Sequence, residues 1–66
     1  MNSNKLRAKI VERGMKVEDI AKEMGLHRAS LYRKLNNCDG ITIREAHNLK
    51  NLLELSDTEA YEIFLS

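Results

Sequence analysis

Residues 17–36, VEDIAKEMGLHRASLYRKLN, hold two short segments of helical periodicity separated by Gly25. In the first, Val17, Ile20, Ala21 and Met24 share one face, and in the second Leu31 and Leu35 share another. Both faces are expected to point inward. Glycine costs about 1 kcal/mol more than alanine in a helix interior, yet it readily takes the positive φ that ends a helix. Gly25 therefore predicts a turn between two helices, with Leu26 tucked against the core. Two helices joined by a short turn containing glycine form a helix-turn-helix, whose second helix can enter the major groove of DNA.

The outward face of the second helix carries the chemistry. Arg28, Ala29, Tyr32, Arg33 and Asn36 fall on the side opposite Leu31 and Leu35. Arginine can contact guanine O6 and N7 with both arms of its fork, asparagine can reach adenine or a phosphate, and an alanine methyl can meet the methyl of thymine. The competing reading is that Arg28, Arg33 and Lys34 form an ordinary solvated helix face. The glycine-centred turn directly before them favours the DNA reading.

Charge is unevenly divided along the 66 residues, although the whole chain carries a formal charge of only +1. Residues 1–34 hold nine basic side chains against four acidic ones, a net +5, and residues 35–66 hold two against six, a net −4. Such a division predicts one face suited to phosphates and another that repels them. A chance split in a charge-rich chain is the alternative. The length permits one small domain spanning residues 1–66, close to the lower limit for a fold held by its own core. With 42% hydrophobic residues and no proline, the composition suits a helical globule.

Around the central pair, helix signals follow one another without linker or repeat. A first helix is predicted from about Asn4 to Arg13, capped by Ser3 or Asn2 and stopped at Gly14, with Leu6, Ile10 and Val11 as core contacts. Asn36 to Gly40 reads as a turn. Thr42 and Glu45 have capping-box spacing and start a fourth helix, and Ser56 and Glu59 repeat that signature for a carboxy-terminal helix at about 57–65. That last helix holds Tyr61, Ile63, Phe64 and Leu65, more large apolar groups than one face can bury. Either some of them meet a partner, or Ile63 and Phe64 complete the core while Tyr61 and Leu65 lie exposed.

From Leu6 to Leu55, about three quarters of the chain, the sequence resembles the Cro and repressor type of helix-turn-helix, the xenobiotic-response-element family. The resemblance is carried by Gly14-Met15, Glu18-Asp19-Ile20-Ala21, Gly25-Leu26, Ser30-Leu31 with Arg33 and Leu35, and the frame Ala46, Leu49, Leu53 and Leu55. Four residues depart from the family pattern. Lys16 stands where a Thr, Ser or Asn cap is usual, and a lysine cannot accept from backbone N–H groups, although Glu18 and Asp19 favour the helix dipole. Ile10 and Leu35 replace a buried Arg and Glu pair, an exchange that can be neutral or stabilising. His27 occupies the cap of the second helix of the motif.

The resemblance implies an all-α, lambda-repressor-like DNA-binding domain of four to five helices. It further implies a regulator of transcription similar to phage Cro or a short prophage repressor, binding a two-fold operator as a homodimer. His27, Arg28, Ala29, Tyr32 and Arg33 are expected at base edges. Lys16, Val17, Lys22, Ser30, Lys34 and Asn36 are expected at the DNA backbone, partly through the N–H groups near Val17. Tyr61, Phe64 and Leu65 are the candidate dimer contacts.

An alternative from another class is a protein-interaction module, antitoxin-like or an anti-repressor partner, that keeps the helix-turn-helix frame and uses its apolar carboxy-terminal helix. Enzymatic activity is not expected, because no nucleophile is paired with a base and no Gly-rich phosphate loop is present. Cys38 is alone, which fits a reducing compartment. His27 and His47 lack the companions of a zinc site, and no cofactor is expected. No apolar run reaches the ~18 residues of a membrane span, and MNSNKLRAK has no apolar secretory core, so a cytoplasmic location is expected.

Overall fold

In the computed structural model, which describes residues 2–36 and 40–65, the chain forms five α-helices: α1 Ser3–Glu12, α2 Val17–Glu23, α3 Arg28–Asn36, α4 Ile43–Leu52 and α5 Asp57–Phe64. Among the described residues there is no strand. The Asn2 side chain, rather than that of Ser3, caps α1 by accepting from the Lys5 N–H at 3.1 Å. Thr42 and Ser56 cap α4 and α5, and Glu45 and Glu59 reach back to complete both capping boxes. At Lys16 only the reciprocal half exists. The Asp19 carboxylate accepts from the Lys16 N–H at 3.3 Å, because the ammonium has no lone pair to offer in return.

Three connections share one construction. After α1, α2 and α4 the chain turns through a residue of positive φ, Gly14 at 69°, Gly25 at 69° and Glu54 at 51°. The next N–H then reaches back five residues: Met15 to the Ile10 carbonyl at 3.1 Å, Leu26 to that of Ala21 at 2.8 Å and Leu55 to that of Lys50 at 2.9 Å. This is the Schellman ending, with its apolar residue just past the turn. Leu55 is buried, and Met15 and Leu26 pack on the core from its edge. One residue further on, Lys16, His27 or Ser56 starts the next helix. Gly25 and Leu26 act as the periodicity predicts, and Glu54 shows that the same turn forms without glycine.

Every helix contributes to one aliphatic core. Leu6, Ile10, Ile20, Ala21, Leu31, Leu35, Leu49, Leu53, Leu55 and Ile63 are buried, and no charged or polar residue lies among them in the described chain. Ile10 and Leu35 are thus both core residues. Val11 is not: it is 76% exposed, because Leu6 and Ile10 already define the inward stripe of α1 and position 11 falls about 100° away from Ile10. Ile63 is buried, Phe64 packs half-buried at the core edge, and Tyr61 and Leu65 are exposed.

α2 and α3 are the most extensively packed pair, and α1 packs on α5. The ends of the chain meet where the Asn2 N–H donates to the Ile63 carbonyl at 2.6 Å. The Arg13 guanidinium reaches the far end of α4, with Nε 2.8 Å from the Leu53 carbonyl and Nη2 3.2 Å from that of Glu54. The resulting radius of gyration, 10.5 Å, is that of a compact chain of this length. Among the described residues no helix is long and apolar enough to cross a membrane.

Candidate nucleic-acid interface

Burial of Leu31 and Leu35 fixes the rotation of α3. Arg28, Ala29, Tyr32, Arg33 and Asn36 are consequently all exposed on its other side, with Tyr32 44% exposed. His27 stands exposed at the helix entry, where its carbonyl accepts from the Leu31 N–H at 3.1 Å. Ser30 lies half-buried between the two faces. On α2, Lys16 and Lys22 are exposed, and Val17 is half-buried against the core.

Two of the expected backbone contacts have partners within the chain. Lys34 is folded under the end of α3, with its Nζ 2.8 Å from the Gly40 carbonyl and 3.2 Å from Glu45 Oε1. Partial burial raises the Glu45 carboxyl, but the Thr42 N–H and the Lys34 ammonium outweigh it and hold the group below its ordinary value. Lys34 therefore joins α3 to the first turn of α4 and does not stand in the outward row. Asn36 Oδ1 accepts from Arg7 Nη2. This contact brings an exposed arginine of α1 beside the end of α3, and the α3 periodicity gives no sign of it. Its only signal in the sequence is membership of the basic first half.

The same accounting changes the meaning of the +5 and −4 division. Part of it is neutralised across the fold, where Lys5 pairs with Glu62 at 3.5 Å, Lys9 with Glu59 and Lys34 with Glu45, whereas Lys9–Glu12 at 3.2 Å and Lys50–Asp57 at 2.6 Å are pairs within one half. Lys16, Lys22 and Arg33 enter no ion pair among the described residues, and Arg28 pairs only with Glu18 at 3.5 Å. Arg33 thus stands unpaired in the exposed row that carries Tyr32 and Ala29, while Arg7, Arg13 and Arg44 elsewhere in the fold are likewise without an ion pair among the described residues. Acids are also present there, with Glu18, Asp19 and Glu23 on α2 itself.

A second feature lies between α4 and α5. A groove of about 500 Å³ is lined by Ile41, Ile43, Ala46, Tyr61, Phe64 and Leu65 among others. Ile43 is 91% exposed on its lip, although nothing in the α4 pattern marks an isoleucine for solvent. Tyr61, Phe64 and Leu65, the candidate dimer contacts, all line this groove. Among the described residues no three His, Cys, Asp or Glu side chains are grouped as a metal site would require. Cys38 lies outside the described residues, as does most of the turn predicted from Asn36 to Gly40. No protein-family model, curated protein or solved structure matches this chain.

Proposed function

We propose that the chain is a sequence-specific DNA-binding regulator of transcription, a helix-turn-helix protein of the Cro and repressor type. α2 and α3 form the motif, and α3 is the helix that enters the major groove. The observation that carries this reading is the exposed row of Arg28, Ala29, Tyr32 and Arg33 on α3, in which Arg33 enters no ion pair among the described residues and Arg28 pairs only with Glu18 of α2. Aliphatic packing alone has no need of such a row.

In this reading His27, Arg28, Ala29, Tyr32 and Arg33 meet base edges, while Lys16, Val17, Lys22, Ser30 and Asn36 lie along the phosphates, joined by Arg7. Lys34 holds α3 against α4 and acts on DNA only through that support. The protein binds a two-fold operator as a homodimer through the α4–α5 groove, which sets two copies of α3 about 34 Å apart. Occupancy of the operator excludes RNA polymerase.

Selection of bound sequences from a random duplex pool tests the proposal directly. Enrichment of a two-fold symmetric site is expected, and an unenriched pool would sink it. Within the selected site, Arg33→Ala is expected to cost about 1–3 kcal/mol and to relax preference at one base pair. Equal losses on selected and random duplexes would remove Arg33 from base reading.

The apolar groove also favours a second reading, a module whose α4–α5 surface holds another protein. A gel shift with the DNA flanking its own gene separates the two, because a module acting only on proteins leaves that DNA unshifted at moderate salt.

A further inference from the structure

The first residue of α3 is a cation, and α3 has no acidic residue in its first turn. This is electrostatically the wrong way round. A helix N-terminus carries a partial positive charge, so Arg28 is repelled there. The compensating charge comes from α2, where the Glu18 carboxylate lies 3.5 Å from Arg28 Nη1. Both side chains are more than half exposed, 66% for Arg28 and 52% for Glu18, so the pair sits on the surface that the DNA reading turns toward the duplex. Only Nη1 is engaged, and Arg28 has no other partner among the described residues.

We propose that Glu18 is a specificity-determining residue of the α2–α3 surface, restraining Arg28 at Nη1 so that its remaining edge serves a base and not a phosphate. This inference rests on the DNA-binding reading and deepens it. A long arginine side chain at a groove edge has two classes of acceptor within reach. Phosphates are present on every sequence, and a guanine edge only on some. A carboxylate beside the guanidinium disfavours the first class, because it repels phosphate and cancels the charge that draws Arg28 toward it. It leaves the second class open, because the Nε–Nη2 edge still offers two parallel donors. Glu18 thereby weakens binding in general and sharpens it at a matching base. It is a positioning residue acting through Arg28.

The test is a comparison of Glu18→Gln, Glu23→Gln, Arg28→Ala and the Glu18→Gln/Arg28→Ala double variant, each titrated against the selected duplex and a random duplex over a range of salt. Glu23 is also an exposed acid of α2, and it has no ion pair among the described residues, so its replacement makes the same change of charge without touching Arg28. Glu18→Gln is expected to tighten the random duplex about two- to fivefold, the range of an exposed ion pair. It should also steepen the salt dependence by about one phosphate contact and lower the ratio of selected to random affinity. Glu23→Gln should leave that ratio unchanged, and Glu18→Gln should have no effect on it once Arg28 is alanine. Equal behaviour of the two glutamine variants, or an undiminished Glu18→Gln effect in the Arg28→Ala background, overturns the role of Glu18 while the DNA-binding reading stands. Failure of the wild-type chain to bind any duplex overturns both.

Discussion

Glu54 holds a φ of 51°, a backbone region that glycine enters freely and a glutamate does not. The turn after α4 needs that conformation, because only then can the Leu55 N–H reach the Lys50 carbonyl and bring Leu55 into the core. Glu54→Gly is therefore expected to stabilise the fold by about 0.5–1 kcal/mol, the relief of the backbone exceeding the entropy that glycine adds to the unfolded chain. A rise in thermal midpoint of a few degrees is the expected readout, and a fall would show that the Glu54 side chain contributes more than its backbone costs. Lys34 and Arg33 are neighbours with different expected phenotypes. Lys34→Met removes contacts to Gly40 and Glu45 and should lower stability by about 1 kcal/mol. Arg33→Ala lies on the outward row and should stay within about 0.5 kcal/mol of wild type. Chemical denaturation of the two variants separates these roles, and it does so independently of any DNA measurement.

At the scale of the element, short helices depend on their ends. α5 has only eight residues, too few to be stable alone, and its N-terminus is held by the reciprocal bonds of Ser56 and Glu59 at 3.1 and 2.9 Å. Ser56→Ala should cost about 1 kcal/mol and loosen α5 in particular, because the cap organises its first turn and so short a helix buries only Ile63 fully. Amide exchange should accelerate in α5 before α2 and α3, and a uniform acceleration would mean that α5 does not open separately. Both capping boxes are legible from Thr42–Glu45 and Ser56–Glu59, since a cap is a contact between residues three apart. The inward faces of α2 and α3 are legible for a related reason, as 3.6-residue periodicity survives in any sequence that must bury one side of a helix. The exposure of Val11 is not legible in the sequence, because an apolar residue beside the stripe of α1 looks like part of it until the packing direction is fixed.

For the whole molecule, the junction of α1 with α5 is expected to respond to pH. The Lys9 ammonium, followed by the Ser56 N–H, holds the Glu59 carboxyl down to about 2, against an ordinary 4.5. A folded-state value below the unfolded one means that the contribution is complete above pH 4.5 and is lost as the pH falls from there toward 2. Glu45 and Asp57 are lowered in the same direction, Glu45 through Thr42 and Lys34 against its own burial, and Asp57 through Lys50. The denaturant midpoint should drop across this window. Glu59→Gln keeps an acceptor for the cap and should flatten the drop; an unchanged slope would exclude Glu59 as its source. The α4–α5 groove belongs to the same scale. Ile43→Asp should leave the folded monomer intact, since Ile43 is 91% exposed, and should weaken self-association in sedimentation if the groove joins two copies.

The five helices, the caps of α4 and α5 and the inward faces of α2 and α3 follow from the amino-acid sequence alone, because they rest on contacts within a few residues and on a repeat that one helix carries alone. The sequence also determined that Arg28, Ala29, Tyr32, Arg33 and Asn36 would share an exposed face. Which charges that face keeps depends instead on how the helices pack against one another. Lys34 meets Glu45 across 11 positions, Asn36 meets Arg7 across 29, and Arg13 meets Leu53 across 40. Such pairings depend on how helices are placed against one another, and no local periodicity encodes them. The same holds for the groove beside Ile43 and for Glu18 beside Arg28, where two separate helices must be packed before either feature exists.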